Sequence, residues 1–583
     1  MSMSKCLKQS RADAIRGAMP SAITLRMSAD NLKKIATHRI QNRTVKSIRL
    51  GEMEINYETG MTAAGVRIAP GELNLIVAPG MTFAYDTIVF VTFLRYVHLM
   101  QREEIQAEIL RNHYFKISTG SVSELSLMGL AYLERCHFTN SAKLSELYGD
   151  NCFILHLDGT NEGGMYNHFV VRDGIRGNTL CAEKIVSESE ESIKPILKKV
   201  KKYFGVPDAV VSDMSPAIGK AVGEVFENVP HKLCHFHFLK AVGKSLLEEK
   251  NRPQMISLKR MKEMLTDNRK KLLEELEKCG NAGHREDGML FISLIDYVND
   301  YQKDLSGEGF PFDLPVLAFY DRCEKAFNMI ENIFREAKKE IPWEFCSIMM
   351  FVCNRLQEYF SYSHINQLKN INGVFLELRE ILHPSDKTET TPLNWGMLDA
   401  GIQVEDIAEK LENFRVRAEK KTKTKLSPYL MKAWKIVLNR LRKYEGKLDP
   451  VIEFNGEKFI LPRTNNLCET GFRDCKRKAR RTTGLKNLSN HMDNLPAQYF
   501  YTFNLDDPEY LKAVFGNGEI CDSFHEIEKD DVRRDVEKMK IQRLSPKKIN
   551  HKLIRSDNYL KELAEHFIGT NSKKGDSNLQ KSA

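Results

Sequence analysis

The chain has 583 residues, 42% of them hydrophobic and 28% charged, with a formal net charge of +9 and an isoelectric point near 8.7. It is too long for one core and too apolar for wholesale disorder, so about three to five globular units are expected. Twelve cysteines without a CxxC pair exclude a recognisable disulfide framework or zinc ribbon and point to a reducing, intracellular compartment.

In chain order, residues 44–80 read as a small β element, because VKSIRL, MEINYE and LNLIV are broken by Gly51, Gly60, Gly65, Pro70 and Gly71. The apolar stretch from Phe83 contains Asp86, Arg95 and His98 and is short for a membrane span, and the first residues lack an apolar secretory core. A soluble cytoplasmic protein, associated with the nucleoid, is expected. From Phe83 the period is helical: one segment to about Met100, a second from Arg102 to about Asn112, and a third opening at Thr119. Their spacing suggests a helix-turn-helix over 83–150, after an N-terminal segment of 1–82. In the third helix Val122, Leu125, Met128 and Tyr132 keep one face, while Ser118, Thr119, Ser121, Ser123 and Glu124 gather at the N-terminal end. Such short polar side chains suit phosphate or base-edge contacts by a recognition helix. The plainer alternative is a helical bundle with a serine-rich cap.

From Asn151 strands and helices alternate. Apolar runs at 152–157, 168–171 and 179–186 read as strands, followed by a helix with a stripe of Ile193, Ile196, Leu197, Val200 and Phe204 that stops at Gly205 and Pro207. A strand at 209–212 ends on Asp213, and the next helix has Ser215 as N-cap and Pro216 in its first turn. HKLCHFHF makes a fifth apolar stretch and passes into another helix. Three strands, a helix, a strand, a helix and a strand resemble the ribonuclease H-like α/β fold, built on a mixed five-stranded sheet. Residues 151–240 then form the first part of that core, 241–460 an all-α insertion, 461–505 a final helix with a basic face, and 506–583 a C-terminal helical region ending in an unstructured tail.

Asp158 and Asp213 each close an apolar run, and Glu469 sits near the start of a helix opening at about Asn466. Arg473, Lys476, Arg477 and Arg480 share its face, while Cys468, Phe472, Cys475, Ala479 and Thr483 form the buried stripe. Individually the aspartates read as turn or capping residues, and Glu469 as a capping-box partner of Asn466. Together they have the layout of a carboxylate site for two divalent cations beside a ridge that tracks a phosphate backbone. Further basic runs at 198–202, 259–271, 415–425 and 538–552 are either phosphate contacts or solvated helix faces.

LDGT, VVSD before a helix, LCHFHF, and TNNxxE with KRxxRRTTG resemble the transposases of the DDE class, in particular Mutator-like and related bacterial or archaeal insertion-sequence enzymes, over roughly residues 85–500. The resemblance implies Asp158, Asp213 and Glu469 as catalytic residues holding two Mg²⁺, with Mn²⁺ a possible substitute. It matches Cys234 and His237 to a Cys-x-x-His pair near that site. It implies transposon ends and target DNA as partners and a homodimer or higher oligomer, and on the reading of the serine-rich helix start and the cationic ridge Ser121, Ser123, Arg473, Lys476, Arg477, Arg480 and Arg481 are expected to contact the DNA. No zinc is expected. A zinc site of Cys234, His235 and His237 is an alternative that one short strand could form only with distortion, and residues 44–80 lack the cysteines of an N-terminal ribbon. Trp343, Trp395 and Trp434 are candidates to stack on a flipped base, although a core position is expected of each. Two rivals remain: a transposase-derived DNA-binding regulator without turnover, and a ribonuclease H-like nuclease without strand transfer.

Overall fold

A computed structural model describes residues 22–149, 152–337, 339–362, 364–382 and 406–543. The chain divides into two compact units, one of Met1–Asn151, Gly159–Val206 and Thr470–Ala583, the other of Cys152–Asp158 and Pro207–Glu469.

The first unit opens with strands β1 (Ala22–Leu25), β2 (Ile35–Ser47), β3 (Gly51–Thr62) and β4 (Arg67–Ile68). β2 and β3 are an antiparallel hairpin pairing Val45 with Met53, and β1 runs parallel to β3. The β element thus begins before residue 44, and its core is Val45, Met53, Ile55 and Tyr57 with Leu73 and Val77. LNLIV, expected as a strand, lies in the helix Gly71–Ile76 except for Val77, its C-cap. The reason is one-sided burial at helical spacing: Leu73 and Val77 are buried while Leu75 is exposed.

The three expected helices follow as Tyr85–Thr92 with a π-helical continuation Phe93–Val97, then Arg102–Asn112, then Thr119–Thr139. The last differs from a groove-reading helix, because every residue from Leu125 to Leu133 is buried. Ser126, Gly129 and Ala131 let its neighbours approach closely, and Gly129 faces Thr92 of the first helix. Its two ends are the more open parts. In the first turn Ser121 and Ser123 are half-buried, Ser118 Oγ accepts the Ser121 N–H at 3.0 Å, and Arg102 Nη1 reaches Ser123 Oγ at 3.5 Å.

The remaining strands are β5 (Ile154–Thr160), β6 (Asn167–Asp173), β7 (Thr179–Ile185), β8 (Ala209–Ser212), β9 (His231–Leu233), β10 (Val451–Phe454) and β11 (Glu457–Ile460). Helices Glu190–Phe204 and Pro216–Val225 lie between β7 and β8 and between β8 and β9, so the expected chain order of strands and helices is present. β6 and β7 pair antiparallel in the first unit. In the second, β8 is flanked by β5 and β9, both parallel to it. The first unit also contains the helices Pro508–Phe515 and Lys529–Arg543; the basic residues 544–552 and the tail lie outside the described residues.

LCHFHF proves to be a strand-to-helix junction. β9 stops at Leu233, Cys234 is the N-cap, and a 44-residue helix runs from His235 to Lys278. Helices Ala282–Asn299, Pro315–Glu336, Trp343–Tyr362, Ile365–Leu382, Ile407–Lys423 and Pro428–Lys443 join it. Phe238, Val242, Phe319, Phe345, Phe375 and Trp434 are among the side chains of their shared core. Trp434 is therefore a core residue as expected. Trp343 is 70% exposed and is not, because it opens its helix, and Trp395 lies outside the described residues. Among the described residues, no helix is long and apolar enough to cross a membrane.

Candidate functional site

β8 and β9 end level with one another, whereas β5, expected to stop at Leu157, runs on through Asp158 to Thr160 because its pairing continues past that level on its other side. Leu157 of β5 is opposite Ser212 of β8, and Ser212 is opposite Leu233 of β9. The next residues in each chain segment, Asp158, Asp213 and Cys234, therefore follow side by side at the end of β8 and β9. Asp158 is 8% exposed. Asp213 is half-buried, and its Oδ1 accepts the Ser215 N–H at 2.9 Å, fixing the carboxylate beside the N-terminus of the helix Pro216–Val225, where a negative charge is favoured. Ser212 Oγ, just before it, donates to the Asp213 carbonyl and lies 2.8 Å from His231 Nε2.

The third acid is brought to this end by Asn465, which is fully buried. Its Nδ2 donates to the Leu157 carbonyl at 2.7 Å, and its Oδ1 is 2.9 Å from Nδ1 of His156. Its backbone N–H donates to Cys234 Sγ at 3.3 Å, and the Cys234 N–H donates to the Ser212 carbonyl at 2.8 Å. One amide side chain and one thiol thus join the segment before Asp158, the segment before Asp213 and the start of the helix Asn466–Thr483, whose first turn carries Glu469. Burial pushes the Cys234 thiol up to about 12, so it stays neutral and serves as an acceptor. His235 is turned away, with Nε2 2.8 Å from the Leu448 carbonyl.

Glu469 is met by a histidine. Its Oε1 lies 3.2 Å from Nε2 of His237, both side chains being roughly one-third exposed. The expected pair of Cys234 and His237 therefore has two separate tasks: the thiol joins backbone segments and the imidazole holds the glutamate. Among the described residues, no three His, Cys, Asp or Glu side chains are gathered closely enough to hold a metal ion. Three carboxylates suit a hard divalent cation in kind, and their backbone positions adjoin. Their side chains do not converge on one point, and Glu469 is engaged elsewhere.

The helix that carries Glu469 has the expected two faces. Cys468, Phe472, Cys475 and Ala479 are buried, whereas Arg473, Arg477, Arg480 and Arg481 are exposed. Thr483, expected in the buried stripe, is only half-buried. Lys476 is partly covered, with Nζ 2.8 Å from Oε1 of Glu162 in the β5–β6 connection. Asn465, quoted in the TNN run but given no role by the sequence, and Glu162, unmarked by any motif, are the residues that sequence reasoning missed. Neither periodicity nor composition names a partner so distant along the chain.

No protein-family model and no curated protein matches the chain. Among solved structures, the Drosophila P element transposase strand transfer complex aligns over 76% of this chain and 94% of its own, at 11% identity and a TM-score of 0.34. A likeness that loose carries no argument about fold or activity.

Proposed function

We propose that the chain is a DNA transposase of the DDE class, with a ribonuclease H-like core interrupted by a helical insertion, that cuts element ends and joins their 3′-hydroxyls to target DNA. One observation supports the reading: Leu157 pairs with Ser212, and Asn465 hydrogen-bonds the Leu157 carbonyl and Cys234, so the segments that carry Asp158, Asp213 and Glu469 adjoin. Asp158, Asp213 and Glu469 would hold two Mg²⁺ or Mn²⁺, which when bound activate the attacking hydroxyl and stabilise the leaving oxygen. The chain's own residues orient and neutralise. Ser215 N–H fixes the Asp213 carboxylate, His237 holds Glu469 in reserve, and Arg473, Arg477, Arg480 and Arg481 meet the phosphate backbone. Two ends must be cut in concert, which calls for a homodimer or larger assembly.

The contact between Glu469 and His237 favours a second reading, a transposase-derived DNA-binding regulator in which the glutamate stays so engaged. The test is a labelled duplex carrying the element's end, incubated with Mg²⁺, target plasmid and the full chain. Joined product supports transposition, nicks without joining support a nuclease, and binding without cleavage supports the regulator. Asp158→Asn is expected to lower cleavage about a thousandfold, the scale of losing one electrostatic group in a reacting centre. Duplex binding, which rests on phosphate contacts, should stay within about threefold. Cleavage by this variant at the wild-type rate would remove the carboxylates from the chemistry.

A further inference from the structure

We infer that Glu162 stands in for a DNA phosphate, occupying in the free protein the seat that Lys476 and Arg480 offer to bound nucleic acid. The inference rests on the DNA-binding reading above and adds to it a residue that sets the strength of binding.

Lys476 and Arg480 are one helical turn apart, and each meets a different oxygen of the same carboxylate: Lys476 Nζ is 2.8 Å from Oε1 and Arg480 Nη2 is 3.5 Å from Oε2. Two oxygens of one anion shared between two cations is how a phosphodiester would be held. The glutamate side chain is 22% exposed and that of Lys476 20%, so the contact is better shielded than an ordinary surface pair. Arg477 and Arg481, on the same helix, remain exposed.

Glu162 is placed by its backbone. The Asp493 carboxylate accepts the Met165 N–H at 3.0 Å and the Tyr166 N–H at 3.1 Å. Asn161 Nδ2 donates to the carbonyls of Tyr166 at 3.0 Å and Gly164 at 3.3 Å. Gly163 takes a φ of +73°, and a Cβ at Gly164 would run into Asp493. A loop fastened at this many points presents its glutamate in a fixed position rather than leaving it to find a cation.

Phosphate and carboxylate carry like charge, so DNA must either displace Glu162 from the two cations or bind a ridge already partly neutralised. Both lower affinity and flatten its dependence on salt. Glu162→Gln keeps the shape and removes the charge. In the full chain, fluorescence anisotropy with a labelled duplex should show affinity rising by about three- to tenfold, and the slope of log K against log salt steepening by about one unit. Glu162→Asp, which keeps the charge but withdraws it by a methylene, should fall between. The gain should vanish when Lys476→Gln and Arg480→Gln are added. Unchanged affinity and slope in Glu162→Gln, or a gain that survives loss of both cations, overturns the inference alone. A wild-type chain with no salt-dependent duplex binding would bring down the DNA reading, and this inference with it.

Discussion

Replacing Asn465 with alanine removes the joint that gathers the three acid-bearing segments. The side chain is fully buried and contributes two hydrogen bonds, to the Leu157 carbonyl at 2.7 Å and with His156 Nδ1 at 2.9 Å. A buried bond contributes about 1 kcal/mol net, and a buried group left without its partner costs about 1–3 kcal/mol, so the loss should be about 3 kcal/mol. The backbone bond to Cys234 Sγ remains, which keeps the effect below complete unfolding. Of the three tryptophans, Trp343 and Trp434 belong to the second unit, so tryptophan fluorescence during urea unfolding reports chiefly that unit. With a slope of about 3 kcal/mol per molar, the midpoint should move down by about 1 M. Mg²⁺-dependent cleavage should fall with it even at temperatures where the variant is folded, because Asp158 and Glu469 lose their common anchor. A midpoint within about 0.2 M of wild type, together with undiminished cleavage, would refute the role assigned to Asn465.

Two further outcomes concern the first unit. His137 is fully buried between Tyr510 Oη and the Leu180 carbonyl, each at 3.0 Å, and burial pushes its pKa down to about 3 from 6.5; His168 is pushed down to about 4 for the same reason. The unfolded chain binds the extra protons, so these histidines contribute their full stability above pH 6.5. That contribution is lost as pH falls, by at most about 1.4 kcal/mol per pH unit for each histidine. Thermal unfolding between pH 4 and 7 should show this decline and a shallower one in His137→Asn; equal slopes would contradict it. Gly129→Ala would set a methyl group 2.8 Å from Thr92 Cβ, an overpacking that should cost about 1–3 kcal/mol and be relieved in part by Thr92→Ala, as read by denaturant midpoints. A Gly129→Ala protein as stable as wild type would show that the two helices are not in close contact.

Local order was legible where one period dominated. The stripe of Ile193, Ile196, Leu197, Val200 and Phe204 foretold the helix Glu190–Phe204, and the apolar run before Asp213 foretold β8 at its actual bounds. Short runs were ambiguous, because LNLIV and LCHFHF fit either period and only their packing settles which face is covered. The serines opening Thr119–Thr139 suggested a helix offered to a ligand, yet Ser126, Gly129 and Ala131 inside it signalled close neighbours and outweighed that cue. The acids could be proposed because strand ends are visible in sequence. Their fastening through Asn465, the engagement of Glu469 by His237 and the covering of Lys476 by Glu162 depend on distant pairs that no local pattern encodes.

The helix from His235 to Lys278 is about 66 Å long at 1.5 Å per residue. It starts in the turn that carries His237 and is clasped along its length by the bundle of the second unit. Pro253 has no N–H to offer the Glu249 carbonyl, so one rung of the ladder is missing inside the helix. One continuous element thus carries both the histidine that contacts Glu469 and, in its far half, the Leu258, Leu265 and Leu272 side chains that belong to the core of the second unit.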